Sequence, residues 1–141
     1  MAHYIVDASV VIEYLITGPF TPNAQAFFNQ ITAADQLTVP EFCLLECTNV
    51  IWKQVRFSNM SRSDAQALLN VLRLLKLRRA PMKRLLNSAL DIALNNTLAV
   101  YDSAYIALAL QSGTPLLSVD QAQSQAATAE GVTLIPITTF T

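Results

Sequence analysis

The stretch YIVDASVVIEYL, residues 4–15, sets the reading of the whole chain. His3–Val6 is a short apolar run that ends at an acid, Asp7, and reads as a strand. Ser9–Ile16 then has the character of a short helix, stopped by the breaker pair Gly18-Pro19. The same alternation continues outward. Leu37–Val39 reads as a strand, followed by a long helix from Glu41 to about Phe57. Leu77–Ala80, ended by Pro81, reads as a strand before a helix over Met82–Asn95. Pro115–Val119 is a strand of the buried type that runs into a second acid, Asp120, with a helix over Gln121–Ala129 and a last strand at Val132–Ile135. Three more helices complete the pattern. One covers Pro22–Ala34, with Thr21 as N-cap and Pro22 in the first turn. One is opened by Ser61, with Asp64 three residues on as a variant capping box, and places Ala65, Leu68, Leu69, Leu72 and Leu75 at helical spacing. The third covers Asp102–Leu110. Strands alternating with helices predict an α/β fold, a central and mainly parallel sheet with helices on both faces.

Composition agrees with one such domain spanning residues 1–141. A chain of 141 residues buries roughly 70% of the surface that its unfolded form exposes. Apolar residues make up 52% and charged residues 13% of the sequence, which excludes a disordered or collagen-like chain. The apolar runs are interrupted by Asp7, Glu13 and Asp102, so a bilayer-spanning helix is not expected. The N-terminus has no basic flank of the signal-peptide kind, and two Cys cannot build a disulfide framework. A reducing cytoplasm is the expected setting.

The net charge of −1 conceals a segregated layout. Residues 1–52 and 85–141 contain no Lys or Arg, and hold five and four acids respectively. All nine basic residues fall between Lys53 and Arg84, where Asp64 is the only acid. This segment either forms a basic surface that attracts phosphate backbones or supplies solvated helix faces.

Four acids occupy the positions where parallel sheets hold ligands, beyond the C-terminal ends of strands. Asp7 and Asp120 each follow a strand. Asp102 starts a helix, and Glu46 lies in the helix after Leu37–Val39, flanked by the apolar Phe42, Cys43 and Val50. Asp7, Asp102 and Asp120 also suit helix N-caps. If all four carboxylates converge, they repel one another, and a divalent cation removes the conflict. An oxygen-only donor set favours Mg2+ or Mn2+ over zinc. His3 cannot complete a zinc site with Cys43 and Cys47, which read as small core residues.

The segments 4–15, LLECTNVIW (44–52), VYDSAYIALALQSGTPLLSVD (100–120) and GVTLIPI (131–137) together resemble the PIN domain, and within it the VapC-type toxins of toxin–antitoxin pairs. The matching pieces are Asp7 and Ser9, then Glu46 and Asn49, then Tyr101, Asp102 and Tyr105, and last Ser118 and Asp120. Ser103 and Ser118 replace the usual Ala and Thr. The resemblance implies an α/β/α sandwich, a single PIN-like nuclease domain, and a metal-dependent endoribonuclease. Asp7, Glu46, Asp102 and Asp120 are then the catalytic metal ligands, directly or through water, for Mg2+ or Mn2+. Ser9, Asn49 and Ser118 position those ligands or the scissile phosphate. The implied partners are RNA, a cognate antitoxin and a second copy in a homodimer, with no membrane, and the acid-free basic stretch Arg73–Arg84 serves either RNA or the antitoxin. The alternative is a non-catalytic PIN-like module that binds RNA or protein. A haloacid dehalogenase also follows its first strand with Asp, but needs a second Asp where Ser9 stands.

Helical geometry adds one expectation of its own. Glu46, Asn49, Lys53 and Arg56 have the spacing i, i+3, i+7 and i+10, which keeps them on one side of a helix. Lys53 and Arg56 are thereby candidate contacts for RNA phosphates, or else mark a solvated helix end. Tyr4, Tyr14, Tyr101, Tyr105 and Trp52 either stack on bases or, as expected for most of them, pack in the core, and Asp91 is expected on the surface.

Overall fold

Strand β1 (His3–Val6) lies at the centre of a five-stranded sheet. The computed structural model describes residues 1–141. β2 (Gln36–Pro40) and β3 (Arg78–Ala80) extend the sheet to one side, β4 (Leu116–Ser118) and β5 (Leu134–Pro136) to the other. The order is β3-β2-β1-β4-β5, and every pairing is parallel, with Tyr4 opposite Leu37 and Ile5 opposite Leu116. Parallel neighbours need crossover connections, and helices supply them.

Seven α-helices cover the sheet: α1 (Ala8–Leu15), α2 (Thr21–Gln30), α3 (Cys43–Phe57), α4 (Arg62–Leu74), α5 (Leu86–Asn96), α6 (Val100–Ser112) and α7 (Gln121–Ala129). α6 lies against β1, β2 and β4, and it is buried at every position from Ser103 to Ala109. A helix apolar all round belongs in a core, which accounts for its weak amphipathic signal. Phe27 of α2 is fully buried, with Tyr4 of β1, Phe28 and Phe140 packed edge-on at centroid distances of 5.4, 5.1 and 4.9 Å. This cluster ties the C-terminal segment to the first strand.

The expected elements are present, with shifted ends that trace to particular hydrogen bonds. α2 begins at Thr21 and stops at Gln30, short of Ala34, because Asp35 Oδ2 accepts hydrogen bonds from Thr32 N and Oγ1 and folds 32–35 into a turn. Thr21 is not its N-cap: that position is Phe20, and the Thr21 hydroxyl donates to the Glu13 carbonyl at 2.7 Å instead. Glu41 lies outside α3 because its N–H donates to the Ala80 carbonyl beside β3. The helix expected over Met82–Asn95 opens as a 3-10 turn, Lys83–Leu85, before α5. β5 starts at Leu134 and not at Val132, whose N–H closes α7 by donating to Ala127 after Gly131 turns the chain at φ +86°. Ser61 caps α4 as expected, its hydroxyl accepting from Asp64 N. Cys43 and Cys47 are buried free thiols, and Asp91 is exposed.

Candidate active site

The strand order reverses between β1 and β4, and such a switch point opens a crevice at the C-terminal ends of the two strands. Asp7 follows β1 there, and Asp120 lies two residues past β4. Both are helix N-caps. Asp7 Oδ2 accepts from Ser9 N at 2.9 Å to start α1, and Asp120 Oδ1 accepts from Gln123 N at 2.9 Å to start α7. Asp102 lies in the first turn of α6, and Glu46 in the first turn of α3. Four helix N-termini thus carry one carboxylate each, where the positive end of the helix dipole favours negative charge.

The carboxylates sense one another. Asp7 is buried, and burial raises its pKa above the ordinary value; hydrogen bonds from Ser9 and Gln123 oppose the rise, and the charge of Asp120 adds to it. Glu46 is pushed up to about 7, first by burial, with Tyr105 opposing and the charges of Asp7 and Asp102 adding. Asp102 is raised by burial, then by Asp7 and Asp120. The charges that act on all three are the other acids of the set. That is the electrostatic situation expected from the sequence.

A buried polar framework holds these groups. Gln123, fully buried, donates from Nε2 to Asp7 Oδ1 at 2.8 Å and to the Asp102 carbonyl at 3.0 Å. Its Oε1 accepts from the Ser118 hydroxyl at 2.6 Å. Ser118 Oγ in turn accepts from Asp120 N, and Ser9 Oγ accepts from Val119 N at 3.1 Å. Ser9 and Ser118, 3.5 Å apart at their hydroxyls, bridge the ends of β1 and β4. The Tyr105 hydroxyl donates to Glu46 Oε1 at 2.7 Å across 59 positions of sequence. No buried side-chain polar atom is left without a partner.

Sequence reasoning missed Gln123. It sits in the polar run QAQSQ, yet its helix face continues through the buried Ala126 and Ala127 at i+3 and i+4, and that spacing was the available signal. Tyr105, expected in the core, is there, but its hydroxyl also serves Glu46.

Beside the carboxylates lies a groove of about 460 Å³, lined by Phe42, Glu46, Asn49, Lys53 and Tyr101 among others. Asn49 and Lys53 therefore share the face of Glu46 as expected, but Arg56 does not reach this groove. Its guanidinium packs over the Phe57 ring at 5.1 Å. Tyr101 and Trp52 are more than half exposed, unlike the other aromatics expected in the core.

The residues suit a hard divalent cation. The donors are carboxylate oxygens crowded in a partly desolvated crevice, with only negative charges acting on them. The nearby Cys47 thiol is pushed up by its hydrogen bond with Cys43 and by burial, and so stays protonated and a poor ligand. No three of the His, Cys, Asp and Glu side chains already close into a cage. Capping of α1 and α7 and the bonds from Gln123 and Tyr105 occupy the carboxylates of Asp7, Asp120 and Glu46 in this arrangement.

Comparison with known proteins agrees with this fold. Ribonuclease VapC3 of Pyrobaculum aerophilum is 28% identical over 121 residues, covering 83% of this chain and 88% of that protein. The structure of Mycobacterium tuberculosis VapC20, described as a Sarcin-Ricin loop cleaving toxin, shares the fold with a TM-score of 0.68 at 14% identity, over 89% of this chain and 95% of that one. VapBC2 from Rickettsia felis, bound to a DNA fragment from its promoter, shares it with a TM-score of 0.66 at 10% identity, over 95% and 98%. The PIN domain family model matches residues 4–129, which hold all four carboxylates and four of the five strands, and the chain belongs to the PIN domain family.

Proposed function

We propose that the chain is a metal-dependent endoribonuclease, the toxin of a VapBC-type pair, with Asp7, Glu46, Asp102 and Asp120 as the catalytic carboxylates. The observation that supports this reading is that Asp7, Glu46 and Asp102, from three separate elements, each feel the charge of other acids of the set, with no opposing charge from the chain itself. Mg2+ or Mn2+ held there would supply Lewis-acid stabilisation of the phosphate oxygens and activation of water for in-line attack. The chain's own residues do the positioning. Gln123 orients Asp7, Tyr105 orients Glu46, and the Ser9–Ser118 bridge keeps the two strand ends at fixed separation. Asn49 and Lys53 line the groove that leads away from Glu46 and would receive the RNA strand.

The partners follow from the same reading. A cytoplasmic nuclease of this kind requires a cognate antitoxin to restrain it, and the two free thiols suit that reducing compartment. No helix is long and apolar enough to cross a membrane. Leu86, Leu90 and Leu94 are exposed at i, i+4 and i+8 along one face of α5, an apolar stripe that suits a homodimer contact.

The deciding experiment is RNA cleavage by the purified chain with Mg2+ or Mn2+, with EDTA, and by Asp7→Asn. Cleavage that needs the metal and vanishes in the variant is expected. Asp7→Asn cleaving as fast as wild type refutes the mechanism, and metal-independent binding without cleavage assigns the chain to the non-catalytic alternative.

A further inference from the structure

A groove larger than the one beside Glu46 is lined by none of the four carboxylates. Its volume is about 590 Å³, and its lining brings together Arg78 and Arg79 of β3 with Lys83 and Arg84 of the following 3-10 turn. The opposite wall is the C-terminal end of α6, with Gln111 and Ser112. Asp102 stands at the other end of that helix, nine residues earlier, or roughly 14 Å along the axis at about 1.5 Å per residue. No Asp or Glu lines the groove. Four of the nine basic residues of the chain therefore border one concavity, and all four are exposed.

We propose that this groove is a second RNA-binding site, one that grips the phosphate backbone of the substrate strand at a distance from the scissile bond. The proposal rests on the ribonuclease reading above for the identity of the strand. Three observations favour a polyphosphate over an acidic protein segment. Three of the four cations are arginines, whose planar forks bind phosphate oxygens in pairs. Gln36, Thr38, Gln111, Ser112 and Thr114 add amides and hydroxyls to the lining, which suit ribose and base edges. Apolar side chains are a minority of the lining, whereas a protein segment docks through buried apolar anchors. The edge strand β3 also explains why the sequence concentrates charge here. An unpaired strand edge is protected by basic residues, and the same residues then stand ready for a polyanion.

The test uses the full chain in EDTA, so that binding is read without cleavage, with a fluorescent single-stranded RNA of about 20 nucleotides. In the variant Arg78→Ala, Arg79→Ala, Lys83→Ala, Arg84→Ala, four lost phosphate contacts at about 0.7 each flatten the slope of log K against log[salt] by roughly 3. Between about 50 and 200 mM salt, wild type then loses about 50-fold more affinity than the variant. Lys83→Ala, Arg84→Ala lies outside the strand, protects against misfolding as an explanation, and is expected to give about half the change in slope. Arg62→Ala, Arg73→Ala removes equal charge outside the groove and is expected to change the slope far less. In the presence of Mn2+, KM for the long RNA rises in the groove variants, while kcat and the cleavage of short oligonucleotides stay as in wild type. An unchanged salt slope in the folded groove variants overturns the proposal, and so does an equal effect of the Arg62, Arg73 control. Binding of a polyglutamate peptide that depends on the four residues, with RNA binding that does not, also overturns it. Failure of wild type to cleave RNA at all would instead strike the ribonuclease reading, and the binding arm still reads the groove.

Discussion

Glu46→Gln should stabilise the metal-free protein at alkaline pH, although it removes a residue of the candidate active site. In the fold, burial and the charges of Asp7 and Asp102 raise the Glu46 carboxyl from 4.5 to about 7. At about 1.36 kcal/mol per pH unit, that gap corresponds to an upper bound of about 3.4 kcal/mol. Glu46 is half-buried, so solvent screening reduces the figure to about 1–2 kcal/mol. The sign follows from proton counting. Between 4.5 and about 7 the folded chain holds the Glu46 proton more tightly than the unfolded chain. Stability is therefore full below that window, falls as pH rises through it, and levels off above it. Asp7 and Asp102, also raised, act in the same direction.

Gln keeps an oxygen that can accept from the Tyr105 hydroxyl but carries no charge. Wild type and Glu46→Gln should thus differ little at about pH 4 and differ by about 1–2 kcal/mol at about pH 8, with the variant the more stable. For a chain of 141 residues this corresponds to roughly 3–8 °C in Tm. Urea unfolding followed by circular dichroism in EDTA, at several pH values, measures the difference directly. Adding Mn2+ should then raise the Tm of wild type at alkaline pH by mass action and raise that of the variant less. If Glu46→Gln is the less stable protein at alkaline pH, or if the difference does not change with pH, the desolvated cluster of like charges is not the controlling feature of the site.

Asp7→Asn should abolish RNA cleavage while the protein stays folded, because Asn still caps α1 through its one oxygen, and loss of the buried charge offsets the amide donor set against Gln123 Nε2; a thermal melt beside a cleavage assay reads both. Gln123→Ala should cost about 2–4 kcal/mol, since it opens a cavity and leaves Asp7 Oδ1 and the Ser118 hydroxyl without their partner, and it should lower kcat more than it raises KM. Lys53→Ala should weaken RNA binding and reduce the salt slope by roughly 0.7, whereas Arg56→Ala, which removes a side chain packed on Phe57, should leave the slope unchanged. Phe27→Ala should cost about 3–5 kcal/mol in chemical denaturation, because three aromatic neighbours lose their common contact.

The elements were legible where local chemistry decides them. His3–Val6 and the helix over Gln121–Ala129 have the expected bounds, because an Asp that caps the next helix marks each junction sharply. Boundaries moved where a distant or turn-specific bond outcompeted the local pattern. Glu41 looked helical until its N–H was taken by Ala80 from β3, and Val132 looked like strand until its N–H closed α7. The four carboxylates were legible as a set because their segments are ordered and spaced as in a known family. Their framework was less so. Gln123 reaches Asp7 across 116 positions and Tyr105 reaches Glu46 across 59, and no local pattern encodes such pairs. Arg56 shows the limit of helical arithmetic: it has the right phase for the stripe, but it lies a turn beyond Lys53 and finds an aromatic ring instead.

The placement of the acids at helix N-termini bears on how the fold tolerates them. A buried carboxylate normally demands a cationic partner, yet all nine basic residues lie between Lys53 and Arg84, and the nine do not offset the set. The N-terminal ends of α1, α3, α6 and α7 take that role in part, each worth about +0.5 charge. Against four ionised carboxylates this leaves about −2, a deficit of the size that one divalent cation supplies. Without a cation, the site sheds charge by retaining protons, as the raised pKa values of Asp7, Glu46 and Asp102 indicate. Capping of α1 and α7 needs only an uncharged Asn or Ser, so the charges themselves lower stability for no structural gain. Sites that break the local rules of folding in this way are where function is to be sought. The same positive helix ends would also face a phosphodiester drawn into the crevice, so the feature that lets the acids coexist equally favours an anionic substrate.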